Sequence, residues 1–271
     1  MKLIVVILLL ATGLSSSHAD PSSLSEKRPL EQERPELGRL FDIENVTGTF
    51  VVFDLPADTY RFYNRPRAVK RFIPASTFKI ANSLIGLNTG AVKSVDEVLP
   101  YGGEPQPFKD WEHDMPLREA IKLSAVPIYQ ELARRIGLQK MTEGVKALGY
   151  GNQTVGDRVD RFWLDGPLEI SAFEQVQFLA RLINGTLPVN AEALKAVREI
   201  TLREHEERFD FHYKTGWGTS TKPHVGWIVG WVDAKEGSYP FALNIDMAEE
   251  KDAPKRLRIA RGCLQALGKL P

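Results

Sequence analysis

Gly48-Thr-Phe-Val-Val-Phe-Asp54 is a run of β-branched and aromatic residues, and Thr59-Tyr-Arg-Phe-Tyr63 alternates in the same style. Leu55-Pro-Ala-Asp58 between them carries turn chemistry, so the pair predicts a β-hairpin. Far downstream the strand pattern returns three times, over 211–217, 225–233 and 239–245, with Pro, Gly and Ser at the breaks. Between the two strand groups the period becomes helical. Pro127 opens a helix that carries Leu132 and Ile136 and stops at Gly137. Ser171-Ala-Phe-Glu174 reads as a capping box ahead of Phe178, Leu179 and Leu182, with Gly185 past the end. Asn190 caps another helix, and Asp252-Ala-Pro254 starts a last one carrying Leu257, Ile259, Leu264 and Leu267.

Strands, then helices, then strands with a closing helix predict an α/β chain of the α+β type: an antiparallel sheet flanked by helices, interrupted by an all-helical lobe. The expected bounds are 20–75 with 208–271 for the sheet-and-helix lobe and 76–207 for the mainly helical lobe. No internal repeat and no clean linker separates them, so a site is expected in the groove they share. The first residues have a different logic. Lys2, an apolar run from Leu3 to Ala11, and Ser17-His18-Ala19 before Asp20 give 1–19 the layout of a secretory signal peptide. That run is too short to span a bilayer, which takes about 20 residues, and the expectation is an exported, periplasmic or secreted protein without a membrane anchor. From Asp20 to Glu36 the chain is mostly polar and is expected to be a mobile connection.

Charge and cysteine usage narrow the functions. The chain has 35 Lys and Arg against 35 Asp and Glu, so it has no broad basic field with which to hold a nucleic acid. Its single cysteine, Cys263, allows no intrachain disulfide and sits within a helical pattern as a small apolar group. There is no G-x-S-x-G elbow, no H-E-x-x-H and no phosphate-binding G-x-x-x-x-G-K-[ST]. His205, flanked by Glu204, Glu206 and Glu207, reads as a charged, solvated face, and no metal site is expected.

The chemistry therefore gathers at Pro74-Ala-Ser76-Thr-Phe-Lys79, where a serine and a lysine three apart share one face of a helix. A serine hydroxyl is a weak nucleophile until a base takes its proton, and a lysine serves only as a neutral amine. Bringing a lysine pKa from about 10.4 toward 7 costs about 4–5 kcal/mol, which burial in an apolar core supplies. Phe78, Ile80, Leu84, Ile85 and Leu87 surround the helix with such a core. Two further pieces add to it. Ser124-Ala-Val126 puts a hydroxyl at a joint between helices, positioned to relay a proton. Lys214-Thr-Gly216 puts a cation, a hydroxyl and a gap for a ligand on the first strand after the helical insertion.

In this order the pieces resemble the penicillin-recognising serine enzymes, which pair S-x-x-K with K-T-G. Ser124-Ala-Val126, Tyr150-Gly-Asn152 and Phe162-Trp-Leu164 narrow the resemblance to class D β-lactamases, the oxacillinase family, over nearly the whole chain from Gly48 onward. The resemblance implies a covalent mechanism in which Ser76 attacks the β-lactam carbonyl and water hydrolyses the acyl-enzyme. It implies no bound cofactor, only CO2 added to Lys79 as a carbamate that acts as general base, with Trp163 donating its indole N–H to it and Val126 limiting water. It maps an oxyanion hole onto the backbone N–H groups of Ser76 and Trp217, a proton relay onto Ser124 tuned by Lys214, and substrate binding onto Thr215, Gly216 and an arginine of the last helix. Arg256 is preferred over Arg258 for that arginine, and Tyr129 is expected to wall the side-chain pocket. Glu169, on a loop before the Ser171 cap, is the alternative deacylating base, although its place suits a dipole-facing role better. The partner is a β-lactam small molecule, the assembly a monomer or homodimer. The competing functions are a cell-wall DD-peptidase and a β-lactam sensor domain.

Overall fold

The computed structural model describes residues 28–271, so the expected signal peptide at 1–19 lies outside the described residues. The elements run β1 (Leu30–Glu33), α1 (Gly38–Ile43), β2 (Gly48–Asp54), β3 (Thr59–Tyr63), α2 (Arg65–Ala68), α3 (Lys79–Asn88), β4 (Val98–Leu99) and β5 (Met115–Pro116). They continue as α4 (Leu117–Leu123), α5 (Val126–Ile136), α6 (Leu138–Leu148), α7 (Ala172–Ile183), α8 (Ala191–Thr201), β6 (Leu202–Glu206), β7 (Phe209–Gly218), β8 (His224–Ala234), β9 (Gly237–Met247) and α9 (Ala253–Ala266). One seven-stranded sheet in the order β1-β3-β2-β9-β8-β7-β6 forms the spine, and β4 pairs with β5 in a small ribbon apart from it. All the pairings of the large sheet are antiparallel except β1 with β3.

The sheet is covered on both faces, which explains the unbroken apolar run of β2. Val51, Val225, Trp227, Val229 and Trp231 point into a core shared with α3 to α8. Phe50, Val52, Ile228, Val232, Phe241 and Leu243 point the other way, into a second core closed by α1 and α9. Each such side chain stabilises the fold by about 1.5–3 kcal/mol when fully buried. The helix boundaries follow their caps. Ser171 accepts from the Glu174 N–H while Glu174 accepts from the Ser171 N–H, and Asn190 accepts from the Ala193 N–H at 2.7 Å.

Two expectations are corrected here. The segment 20–36 was expected to be a mobile connection, yet within it Leu30–Glu33 is a strand paired in parallel with β3. Its residues are all exposed and its backbone supplies the pairing, so it has no hydrophobic alternation to reveal it. The charged stretch around His205 is solvent-exposed as expected, and it lies on the edge strand β6, with His205 opposite Asp210 and bonded to it. A sheet boundary at 208 therefore falls late, because the sheet already takes in Leu202.

Candidate active site

Ser76 lies in a 3-10 turn, Ala75–Phe78, that runs directly into α3. Ala75 holds a φ of 48°, an uncommon left-handed conformation for a residue with a side chain. The turn is tied down behind that strained residue. The Ala75 N–H donates to the Trp163 carbonyl at 2.9 Å, Thr77 Oγ1 donates to the Pro74 carbonyl at 2.7 Å, and Gln175 Nε2 donates to Thr77 Oγ1 at 2.9 Å. Lys79 Nζ donates to Ser76 Oγ at 2.9 Å, as the three-residue spacing requires. Lys79 is fully buried, and burial alone pulls its pKa down to about 7. Its surroundings are aromatic: Phe78 stacks on Trp163 at 5.5 Å, and the Tyr129 ring centre lies 5.1 Å from Nζ. Trp163 Nε1 is buried and has no hydrogen-bond partner among the described residues.

The second serine sits at the joint between α4 and α5, where Ser124 adopts a left-handed φ of 61° that ends one helix and lets the next begin. Its hydroxyl accepts from Lys214 Nζ at 3.0 Å, and the same amine donates to the Thr215 carbonyl at 2.8 Å. Burial holds Lys214 well below an ordinary lysine pKa, and the nearby positive charges of Lys79, Arg203 and Arg256 push it the same way. The edge strand β6 pairs only as far as His212, so the β7 edge beyond it is open. The Ser76 turn fills part of that opening. A Cβ added at Gly216 would come within 3.0 Å of the Pro74 carbonyl oxygen and 3.1 Å of Thr77 Cγ2, so glycine permits the close approach. On the far face of the sheet Arg256 donates to the Gly216 carbonyl at 2.5 Å. It is 9% exposed, and burial lowers its pKa to about 10.

The residues just described lie within a stretch that matches the penicillin-binding-protein transpeptidase domain over residues 44–265. β-Lactamase OXA-5 of Pseudomonas aeruginosa is 38% identical over 271 residues, 99% of this chain and 98% of that protein. β-Lactamase OXA-48 of Klebsiella pneumoniae is 40% identical over 202 residues, 74% of this chain and 76% of that protein. The crystal structure of FUS-1 (OXA-85), a class D β-lactamase from Fusobacterium nucleatum subsp. polymorphum, superposes with a TM-score of 0.86 at 42% identity, covering 89% of this chain and all of that one. The chain belongs to the class D β-lactamases.

Set against that family, most of the residues named from sequence meet at one place and a few do not. Ser76, Lys79, Trp163, Ser124, Lys214, Gly216 and Arg256 gather around the Ser76 turn and the β7 edge, with half-buried Thr215 and Trp217 on the same strand and half-buried Val126 opening α5. Arg258 turns away to Glu44 at 2.7 Å, which leaves Arg256 as the arginine at Gly216. Tyr129 is a correction: expected to wall an open pocket, it is fully buried, its hydroxyl 2.9 Å from Ser83 Oγ and its ring behind Lys79. Its place on the inward face of α5 puts it in the core rather than at the cleft. Glu169 is exposed, and the carboxylate at the α7 N-terminus is Glu174, held there by Arg71. Tyr150-Gly-Asn152 buttresses the loop before α7. The Asn152 N–H donates to the Glu169 carbonyl at 2.9 Å, and Gly151, with φ 56°, lies so close to that carbonyl that a Cβ would overlap it.

Sequence reasoning missed two residues at the Ser124 joint. Trp111 donates its indole N–H to the Leu123 carbonyl at 3.0 Å and packs at a tilt against exposed Phe108. Arg203 reaches the same joint from β6. Neither belongs to a periodic pattern or a motif, so no signal in the sequence marks them.

Proposed function

We propose that this class D enzyme opens the β-lactam ring of penicillin-type antibiotics through an acyl-enzyme on Ser76, and so confers resistance to them. Ser76 Oγ attacks the lactam carbonyl, the C–N bond breaks, and water then releases the opened acid. The reaction uses no metal and no bound cofactor. The observation that carries this reading is a fully buried lysine whose pKa is lowered to about 7, so that a large share is neutral at that pH, bonded at 2.9 Å to the nucleophile it serves.

The Lys79 pocket suits a carbamate. A neutral amine adds CO2 and releases one proton, and the product carries a negative charge that needs donors and positive neighbours. The partnerless Trp163 N–H is one such donor, and the Lys214 amine is close enough to couple to Lys79 electrostatically. As a carbamate, Lys79 supplies a carboxylate-type base within reach of the Ser76 hydroxyl and of water. Val126, at the start of α5, limits water there. The N–H groups of Ser76 and Trp217 face the charge that develops on the carbonyl oxygen. Ser124 passes a proton to the leaving nitrogen with Lys214 biasing it, while Thr215 and Arg256 hold the substrate carboxylate along Gly216. The leader at 1–19 directs the enzyme to the periplasm or the medium.

The test is steady-state turnover of a chromogenic cephalosporin. Degassed, CO2-free buffer is expected to lower the rate and bicarbonate to restore it. Lys79→Ala is expected to lose about 10²–10⁴-fold in kcat, the range for loss of a general base, and Glu169→Ala to retain full rate. Loss with Glu169→Ala and retention with Lys79→Ala would overturn the reading.

A further inference from the structure

Among the charged residues near the site, Arg203 is the one the mechanism above leaves without a task. It is the extra residue of a β-bulge: Leu202 stands opposite His212 and Glu204 opposite Phe211, with no partner position between for Arg203. A bulge takes a residue out of the ladder and re-aims its side chain. Here the guanidinium is turned inward and half-buried, away from the carboxylates of its own strand.

It meets two carbonyls. Arg203 Nε donates to the Tyr213 carbonyl at 3.3 Å, immediately before Lys214 in the chain. Arg203 Nη2 donates to the Ile121 carbonyl at 3.1 Å, in the last turn of α4 just before Ser124. The last carbonyls of a helix have no partner within it. Both the Ser124 and the Ala125 N–H groups turn back to the Ala120 carbonyl, so the Ile121 carbonyl is left for a donor from outside the helix. One side chain thus spans the two elements whose functional groups, Ser124 Oγ and Lys214 Nζ, stand 3.0 Å apart.

We propose that Arg203 is a positioning residue for the β-lactamase reaction: it clamps the α4–α5 joint to β7 and so sets the Ser124–Lys214 contact, while its fixed charge biases the protonation of Lys214. The inference rests on the hydrolytic reading given above. The fixed charges facing Lys214 are Arg203 from β6 and Arg256 from α9, both positive, and Lys79 at the start of α3 adds to them only while it is protonated. Removing Arg203 lets Lys214 hold its proton to higher pH.

The experiment compares kcat, KM and their pH dependence for wild type, Arg203→Met and Arg203→Lys with a chromogenic cephalosporin. Each is normalised to the fraction of Ser76 that a fluorescent penicillin acylates, so that misfolded enzyme does not count. Arg203→Met is expected to lower kcat about 10–100-fold, the scale of a small misplacement of a reacting group, with KM within about threefold of wild type. The limb of the pH profile that Lys214→Arg abolishes moves to higher pH in Arg203→Met. In Arg203→Lys, which keeps the charge but not the two-pronged reach, that limb stays in place and part of kcat returns. Wild-type turnover matched by Arg203→Met, or a lowered kcat with an unmoved limb, overturns the clamp alone. A wild-type chain inert toward the cephalosporin overturns the hydrolytic reading, and the clamp with it.

Discussion

Two serine–lysine pairs meet at the site, and they are built in opposite ways. Ser76 and Lys79 are three residues apart on one turn of chain, and a dry aromatic pocket sets the properties of that lysine. Ser124 and Lys214 are 90 residues apart, brought together by a helix joint and a strand edge. Burial is the first influence on both amines, yet only the second also sits in a ring of positive charges. The first pair is local and rests on desolvation. The second is assembled by packing and depends on everything that holds α4 against β7. One chain thus obtains two low-pKa lysines by separate means, and each is sensitive to different damage.

Substitutions that break one pair and spare the other sharpen the contrast. The largest effect is expected from Lys79→Met, about 10²–10⁴-fold lower kcat, read in single-turnover acylation as well as at steady state. Lys214→Met acts on Ser124 rather than on the nucleophile, and its loss is expected nearer the lower end of that range, about 10²-fold, with acylation of Ser76 still detectable.

The same Lys79→Met variant is expected to be more stable than the parent in CO2-free buffer. The folded-state pKa of about 7 lies below the unfolded value near 10.5, so between those pH values the unfolded chain binds the extra proton and is favoured. The cost of burying Lys79 is therefore full below pH 7 and fades as pH rises toward 10.5. A shift of this size corresponds to about 5 kcal/mol, and relaxation of the pocket should leave about 2–4 kcal/mol of it in denaturant titrations at pH 7. The stability gap between variant and parent should shrink toward pH 10. A gap that widened would mean that Lys79 is not a buried neutral amine. The smallest effect is expected from Trp163→Phe, which keeps the stack on Phe78 and removes one donor. Loss of that hydrogen bond to a charged group, about 1.5–3 kcal/mol, should appear as a raised bicarbonate requirement, with turnover near normal at saturating bicarbonate.

The two pairs also differ in how far they could be read before folding. Ser-x-x-Lys sits within one turn, so its geometry follows from helical periodicity, and the apolar residues around it announce the burial. The caps at Ser171 and Asn190 and the long core strands were equally legible, because each is written in neighbouring residues. Edge strands β1 and β6 were not, since an edge is held by backbone hydrogen bonds and tolerates a mostly charged sequence such as Leu202–Glu206. Arg203 was hidden with β6, and Trp111 with the irregular loop before α4. Tyr129 was misplaced because an amphipathic helix tells which residues face inward but not what lies beneath them.

By itself the sequence determined the Ser76–Lys79 contact, the helix ends and the alternation of a sheet buried on both faces, because each depends on contacts within about one helical turn or one strand. Only the tertiary structure decided that Lys214 reaches Ser124, that Arg256 rather than Arg258 lies at Gly216, and that Arg203 spans the joint. Those contacts are made by segments distant in the chain, whose meeting is fixed by how whole elements pack and by the dry, positively charged space they enclose.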